Sequence, residues 1–388
     1  MSVQEVKLGD VAEFIRGINF KPDDVVPLGT EGSVGCMRTK NVQDELDCSD
    51  VWAVPKEFVR RKEQMLREGD ILVSSANSWN LVGKCSWIPK LEGPSSFGGF
   101  VSVLRAEPKK VEPRFLYRWF SWEQTQALLR SFGQKTTNIS NLNIERCLNM
   151  KLRLPPLPEQ HRIVAILDQS DALRTKRRQT LAQLNSLTQS IFIEMFGNPA
   201  RNEMKWKLAN ISALGQVLTG GTPSSAKEGM FGDAIPFITP GDLDSGAPPK
   251  RSLSKIGAAE TPTVRAGATM VCCIGTIGKI GITTTISAFN QQINAIEWGN
   301  EIDDKYGLFV MQFFRPTIIA WGTSTTMPIL KKSTFEKIEI PVPPLELQRA
   351  FSQRVASCEL IRQQYETSLN QLDELFKSLQ SRAFAGNF

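Results

Sequence analysis

Slid along itself, the 388-residue chain meets a second copy of its own pattern. VKLGDV from Val6 returns as WKLANI from Trp206, and VGCMRTKNV from Val34 returns as IPFITPGDL from Ile235. LREGDILVSS from Leu66 matches VRAGATMVCC from Val264, and VGK at Val82 matches IGK at Ile277. SFGGFVSVLR from Ser96 matches AFNQQINAIE from Ala288. Thr136-Thr137 pairs with Thr325-Thr326, and LPPLPEQ from Leu154 pairs with VPPLELQ from Val342. The offset falls from about 200 to 188 along this ordered series, as loops of unequal length require, and then holds at 188 toward the C-terminus. Such a chain must fold as two copies of one unit, each about 190 residues long.

Each copy has two parts of different character. Residues 1–153 and 198–341 mix short β-branched and aromatic runs with Gly, Pro, Asn and Ser punctuation, the pattern of compact α+β domains. ILVSS (Ile71 to Ser75), FVSVL (Phe100 to Leu104), TMVCCI (Thr269 to Ile274) and INAIEW (Ile293 to Trp298) read as strands. FLYRWFSWEQTQALLRSF from Phe115 reads as one helix, with KYGLFVMQFF from Lys305 as its counterpart.

Residues 154–197 and 342–388 are helical in composition. Beyond each Pro-rich boundary, Leu, Gln, Arg and Ala dominate a run of about 38 residues without Pro or Gly, a rod of roughly 57 Å. Apolar residues recur at heptad spacing, the signature of a coiled coil. In the first helix the seam holds Ile163, Leu167, Leu181, Leu184 and Ile191, interrupted by Ser170, Arg174, Arg177 and Thr188. In the second it holds Phe351, Val355, Tyr365, Leu369, Leu372, Phe376 and Leu379. Two such rods most simply bury their seams on each other; the alternative is two amphipathic helices, each packed on its own domain. The expected architecture is therefore α+β: two globular α/β domains joined by two long antiparallel coiled-coil helices, a pseudo-twofold tandem repeat.

Composition narrows the chemistry. The single histidine, His161, leaves little for a histidine metal site or a Ser-His-Asp triad. The seven cysteines form no C-x-x-C pair. GTIGK at Gly275 lacks the phosphate-loop pattern, because Ile280 follows Lys279 and Cys stands at 273. GNPA at Gly197 lacks the second Pro and the aromatic residue of an NPPY motif. No run of about 18 apolar residues crosses a bilayer and the N-terminus lacks an apolar leader core, so a cytoplasmic protein is expected. The net charge of +6 divides as +3 over residues 1–153, +2 over 198–341 and +1 over the helices. A nucleic-acid face must then come from local arrangement and not from bulk charge.

A globular part ending in LPPLPEQHRIVAILD, a long helix, a second part opening with GGTPS and IPFITPGDL, and a second helix after PVPPLELQ together resemble the DNA-specificity subunit of type I restriction-modification systems. The likeness runs over essentially the whole chain. GTIGKIGI (Gly275 to Ile282) and FNQQINAI (Phe289 to Ile296) carry it in the second half, whereas the first half departs with SANSWNLVGKCSW and FGGF.

The resemblance implies a prokaryotic, non-catalytic subunit acting in phage defence. Residues 1–153 and 198–341 would be target-recognition domains, each reading one half of a bipartite double-stranded DNA target. The spacer helices (154–197 and 342–388) would fix the gap and dock modification (methyltransferase) subunits, two by pseudo-symmetry. Those partners would carry S-adenosylmethionine and methylate adenine, and restriction/translocase subunits would use ATP and Mg2+. No cofactor or metal is expected in this chain. Alternatives are a stand-alone modification or restriction enzyme, a specificity subunit of a related methyltransferase-nuclease outside type I, and a coiled-coil scaffold without a nucleic-acid role.

Base and phosphate contacts are expected from polar turns between strands. In the first domain these are Arg38, Lys40 and Asn41, then Ser74, Ser75, Asn77, Trp79, Asn80 and Lys84, then Lys135, Thr136, Thr137 and Asn138. In the second, the matched positions are Thr239, Gly241, Asp242, Thr276, Lys279, Thr325 and Thr326. Thr222, Ser224, Ser225, Gln291, Gln292, Thr323, Lys331 and Lys332 complete the set.

Overall fold

The computed structural model describes residues 3–135, 139–224, 227–244, 248–322 and 328–385. The chain forms two compact units, one of Met1–Arg178 with Thr367–Phe388 and one of Gln179–Glu366. Each long helix, Leu157–Phe196 and Leu345–Ala385, contributes one part to each unit.

The duplication is visible strand by strand. In the first unit a four-stranded antiparallel sheet runs Ala12–Arg16, Val101–Ala106, Ile71–Ser74, Cys85–Trp87. The second unit repeats it as Gly215–Thr219, Ile293–Trp298, Thr269–Cys272, Ile280–Ile282. The sequence offsets carry register onto register: Leu72↔Val103 becomes Met270↔Ala295, and Val73↔Cys85 becomes Val271↔Ile280. A parallel pairing recurs too, Cys36↔Ser96 in the first unit and Phe237↔Ala288 in the second. Because a one-residue slip would turn every buried side chain to the wrong face, matched registers mean matched cores. The units differ where the sequences do. Ala76–Asn77, in the SANSWNLVGKCSW segment, joins Ser140–Leu142 and Gly133–Lys135 in a three-stranded sheet of the first.

The single helix expected from Phe115 is two helices, Pro113–Phe120 and Glu123–Ser131. Chain direction changes at Ser121-Trp122, where Trp122 takes extended dihedrals as the N-cap. Its counterpart KYGLFVMQFF is one helix, Asp304–Phe313, and a second, Arg315–Ala320, follows it with Pro316 in its first turn. Glu112 and Asp303 cap the first helix of each pair by accepting from Phe115 N and from Lys305 N and Tyr306 N.

The glutamines that end LPPLPEQ and VPPLELQ have one shared task. Gln160 and Gln348 are buried, at 1% and 0% exposure. Gln160 Oε1 accepts from Glu112 N at 2.8 Å while its Nε2 donates to Pro155 O at 2.7 Å. Gln348 accepts from Asp303 N at 2.8 Å and donates to Pro343 O at 2.8 Å. Each amide thus ties the start of a long helix to the capped end of the helix it packs on.

Ile163 and Leu167 join the first unit's core with Phe376, Ala383 and Phe384 from the far end of the second helix. Arg153 donates to Ala385 O, and Arg174 and Arg178 meet Asp373, so the two helical segments in this unit run in opposite directions. The polar interruption of the first seam lies here. Arg174 pairs with Asp171 and Asp373 and sits 4.2 Å over the Phe376 ring, and Arg118 pairs with Asp168 and Asp171. In the second unit Phe351 and Val355 are buried, with Phe192 and Phe196, which the heptad reading left off the seam. Phe192 lies 4.8 Å from Phe313, 5.4 Å from Phe351 and 5.6 Å from Tyr306, ring centre to ring centre. The remaining seam residues, Leu181, Leu184, Ile191, Tyr365, Leu369, Leu372 and Leu379, are half-buried.

Candidate nucleic-acid interface

The polar turns divide into side chains that brace a loop and side chains that stand free of it. Asn41 is fully buried. Its Oδ1 accepts from Arg38 N at 2.7 Å, and its Nδ2 donates to Asp47 O at 2.7 Å and Asp50 O at 3.0 Å. Asp242, its partner in the repeat, does the same work, accepting from Thr239 N at 2.9 Å and from Thr239 Oγ1 at 2.7 Å. Ser74 is 1% exposed and accepts from Asn77 Nδ2. A polar group committed to its own turn has little capacity left for a base edge. Asn41, Thr239, Asp242 and Ser74 therefore hold the shape of the loops.

Arg38, Lys40 and Lys84 of the first unit are already engaged. Arg38 stacks 3.7 Å over Trp52 and meets Asp50 at 3.1 Å, and Lys40 reaches the same carboxylate at 2.7 Å. Lys40, with Arg38 beside it, holds the Asp50 carboxyl below its usual range. Lys84 donates to Gln43 Oε1 at 2.8 Å and lies 3.7 Å from Asp44. Gln43, which the sequence reading passed over, stands between these lysines, with its Nε2 on Lys40 O. It lines a shallow cleft with Thr39, Ser74, Asn77 and Lys84. Its only signal in the sequence was its place two residues beyond Asn41. Ser75 is half-buried, whereas Trp79 and Asn80 are exposed. Lys135 ends a described strand, while Thr136, Thr137 and Asn138 lie outside the described residues.

The second unit brings its candidates together. Thr222 Oγ1 donates to Gln291 Oε1 at 2.6 Å, joining the loop after Gly215–Thr219 to the FNQQ turn. Gln292 Nε2 donates to Ile274 O at 3.3 Å, joining that turn to GTIGK, where Thr276 is exposed. Lys279 donates to Pro240 O at 3.1 Å, beside exposed Gly241. A carbonyl positions the ammonium without neutralising it. Ile274 also bridges to Ile329, which sets the exposed Lys331 and Lys332 on the adjoining segment. Arg315 braces GTIGK through Gly278 O and ties it to Asp244 at 2.6 Å. Gly278, at φ +87°, turns this loop as Gly83, at φ +84°, turns the matching one in the first unit. Ser224 is exposed, and Ser225, Thr323, Thr325 and Thr326 lie outside the described residues.

The paired thiols and the single imidazole sit in ordinary surroundings. Cys272, at the end of a strand, and Cys273, just beyond it, are buried, and burial pushes the Cys273 thiol up to about 12, far from a reactive thiolate. His161 is exposed on the first turns of its helix. Among the described residues no helix is long and apolar enough to cross a membrane.

The model of the family described as type I restriction modification DNA specificity domain matches residues 2–186 and again 203–366. A putative type I restriction enzyme MjaX specificity subunit of Methanocaldococcus jannaschii is 21% identical, with 82% of this chain and 78% of that protein covered. The HindI specificity subunit of Haemophilus influenzae is 32% identical over 39% of this chain and 35% of its own length. The type I S subunit from M. genitalium has the same fold, with a TM-score of 0.62 at 14% identity over 99% of this chain and 96% of that one. A structure from work on assembly and conformational transition of the type I R-M system gives 0.59 at 18% identity, over 100% and 98%. With two matches that together span most of its length, the chain belongs to the type I restriction modification DNA specificity domain family.

Proposed function

We propose that this chain is the DNA-reading subunit of a type I restriction-modification complex, each globular part recognising one half of a bipartite double-stranded target. The observation that carries the reading is the presence of two copies of the family domain in one chain. Two similar modules on one molecule suit a split site, since half-site spacing is then set by the protein. Residues 1–153 and 198–341 act as the reading domains, and the helices of 154–197 and 342–388 as an antiparallel coiled-coil spacer. Methyltransferase subunits dock on this frame, two by pseudo-symmetry, bringing S-adenosylmethionine. Restriction/translocase subunits join through the complex and use ATP and Mg2+. The chain itself performs no covalent step.

Its part is positioning and discrimination. Lys279, Lys331 and Lys332 supply phosphate contacts in the second domain, a salt-sensitive term indifferent to sequence. Gln291, with its Oε1 held by Thr222, keeps both amide protons free for base acceptors such as guanine O6 and N7 or adenine N7. Gln292, Thr276 and Ser224 flank it. In the first domain Lys84 is the match of Lys279, and Trp79 and Asn80 stand exposed on the turn before it. Mapping methylated adenines genome-wide, with and without the gene, tests the reading. A split motif that vanishes with the gene supports it, and an unchanged methylome sinks it.

A further inference from the structure

We infer that Phe100 reads the methyl group of a thymine in the half-site of the first domain, an inference that rests on the DNA-reading function proposed above. The repeat places Gly99-Phe100 opposite Gln291-Gln292; in the second domain this turn presents the exposed Gln291 while Gln292 is held by Ile274 O and Asn290 Nδ2, and in the first the same turn presents a bare phenyl ring. Phe100 is 65% exposed. A lone exposed apolar residue is common on protein surfaces; this one is held in place. Its carbonyl accepts from Ser75 N and Ala76 N, both at 3.1 Å, and Val101 N closes a turn on Gly98 O at 3.0 Å. Gly98 and Gly99 bring no side chain to cover the ring. The strand it is bonded to continues into Asn77, which lines the polar cleft with Ser74 and Lys84.

The ring stands on the turn from which the other copy presents Gln291. It has no donor or acceptor, and the one apolar group on a major-groove base edge is the C5-methyl of thymine. The two domains therefore recognise with different chemistry from one matched turn, amide hydrogen bonding by Gln291 in the second and apolar contact by Phe100 in the first.

The test uses the chain in complex with its methyltransferase partner and duplexes carrying the mapped target, with each thymine of the first half-site replaced in turn by uracil. At one position uracil weakens wild-type binding roughly fourfold, the worth of one buried methyl. Phe100→Ala weakens the thymine duplex by a similar factor and is indifferent to uracil there, while Phe100→Leu keeps the sensitivity. The second half-site is unaffected in all three. Wild-type affinity in Phe100→Ala, or a weakened Phe100→Ala that still distinguishes uracil, overturns the inference. So does a 2-aminopurine signal of base unstacking that depends on Phe100, because the ring would then be a wedge between base steps. A wild-type complex that binds no split duplex refutes instead the function on which the inference rests.

Discussion

Asn41→Ala separates a loop brace from a base reader. The substitution deletes three hydrogen bonds of a fully buried amide: Arg38 N to Oδ1, and Nδ2 to the carbonyls of Asp47 and Asp50. At about 1 kcal/mol net for each, the 38–52 loop loses about 3 kcal/mol. That multiplies its opening equilibrium by roughly a hundredfold. Hydrogen exchange read by mass spectrometry on peptides spanning 38–52 measures the change directly, because amides protected by this loop exchange through its opening. Protection falls by about two orders of magnitude in Asn41→Ala and stays at the wild-type level in the second unit. DNA affinity falls as a consequence, without a preference for one base pair. Unchanged protection together with a selective loss at one base pair would refute the reasoning and make Asn41 a reader.

Asp50→Asn releases Lys40 from its carboxylate, so affinity for any duplex rises and the slope of log K against log salt steepens by about one, as titration over a salt series shows. The same release occurs in acid. The Asp50 carboxyl is held below its ordinary range by Lys40 and Arg38, so the clamp persists above that range and is lost only as pH falls through the lowered value. Gln291→Ala costs about 1–3 kcal/mol at a single base pair of one half-site, whereas Lys279→Ala weakens binding evenly across that half-site, both readable by competition with single-substitution duplexes. Phe192→Ala removes a ring packed on Phe196, Phe313, Phe351 and Tyr306, at a cost of about 3–5 kcal/mol. Denaturant melts followed by exchange mapping place that loss in the second unit.

Much of this was legible in the sequence because a repeat compares the chain with itself. The offset series predicted which strands correspond, and the same offsets carry Cys36↔Ser96 onto Phe237↔Ala288. The Pro-to-helix boundaries and the two long helices followed from composition and spacing. Heptad spacing did not find Phe192 and Phe196, since their partners are the rings of Tyr306, Phe309, Phe313 and Phe351. A heptad register counts neighbours along one helix and is blind to a core more than a hundred residues away in sequence.

The interface shows the same division. Composition and turn chemistry brought Asn41, Asp242, Gln291 and Lys279 forward together, because each is a polar residue in a turn. Folding assigned them different tasks: the first two spend their oxygens on backbone N–H groups three residues back, and the last two stand where four loops meet. That there are two copies, what each is built from and where the loops fall could be read from the order of residues alone. Which polar atoms the fold consumes and which it leaves unspent emerges only once the chain has folded, because a hydrogen-bonding group carries no mark of its partner until the chain has brought one within about 3 Å.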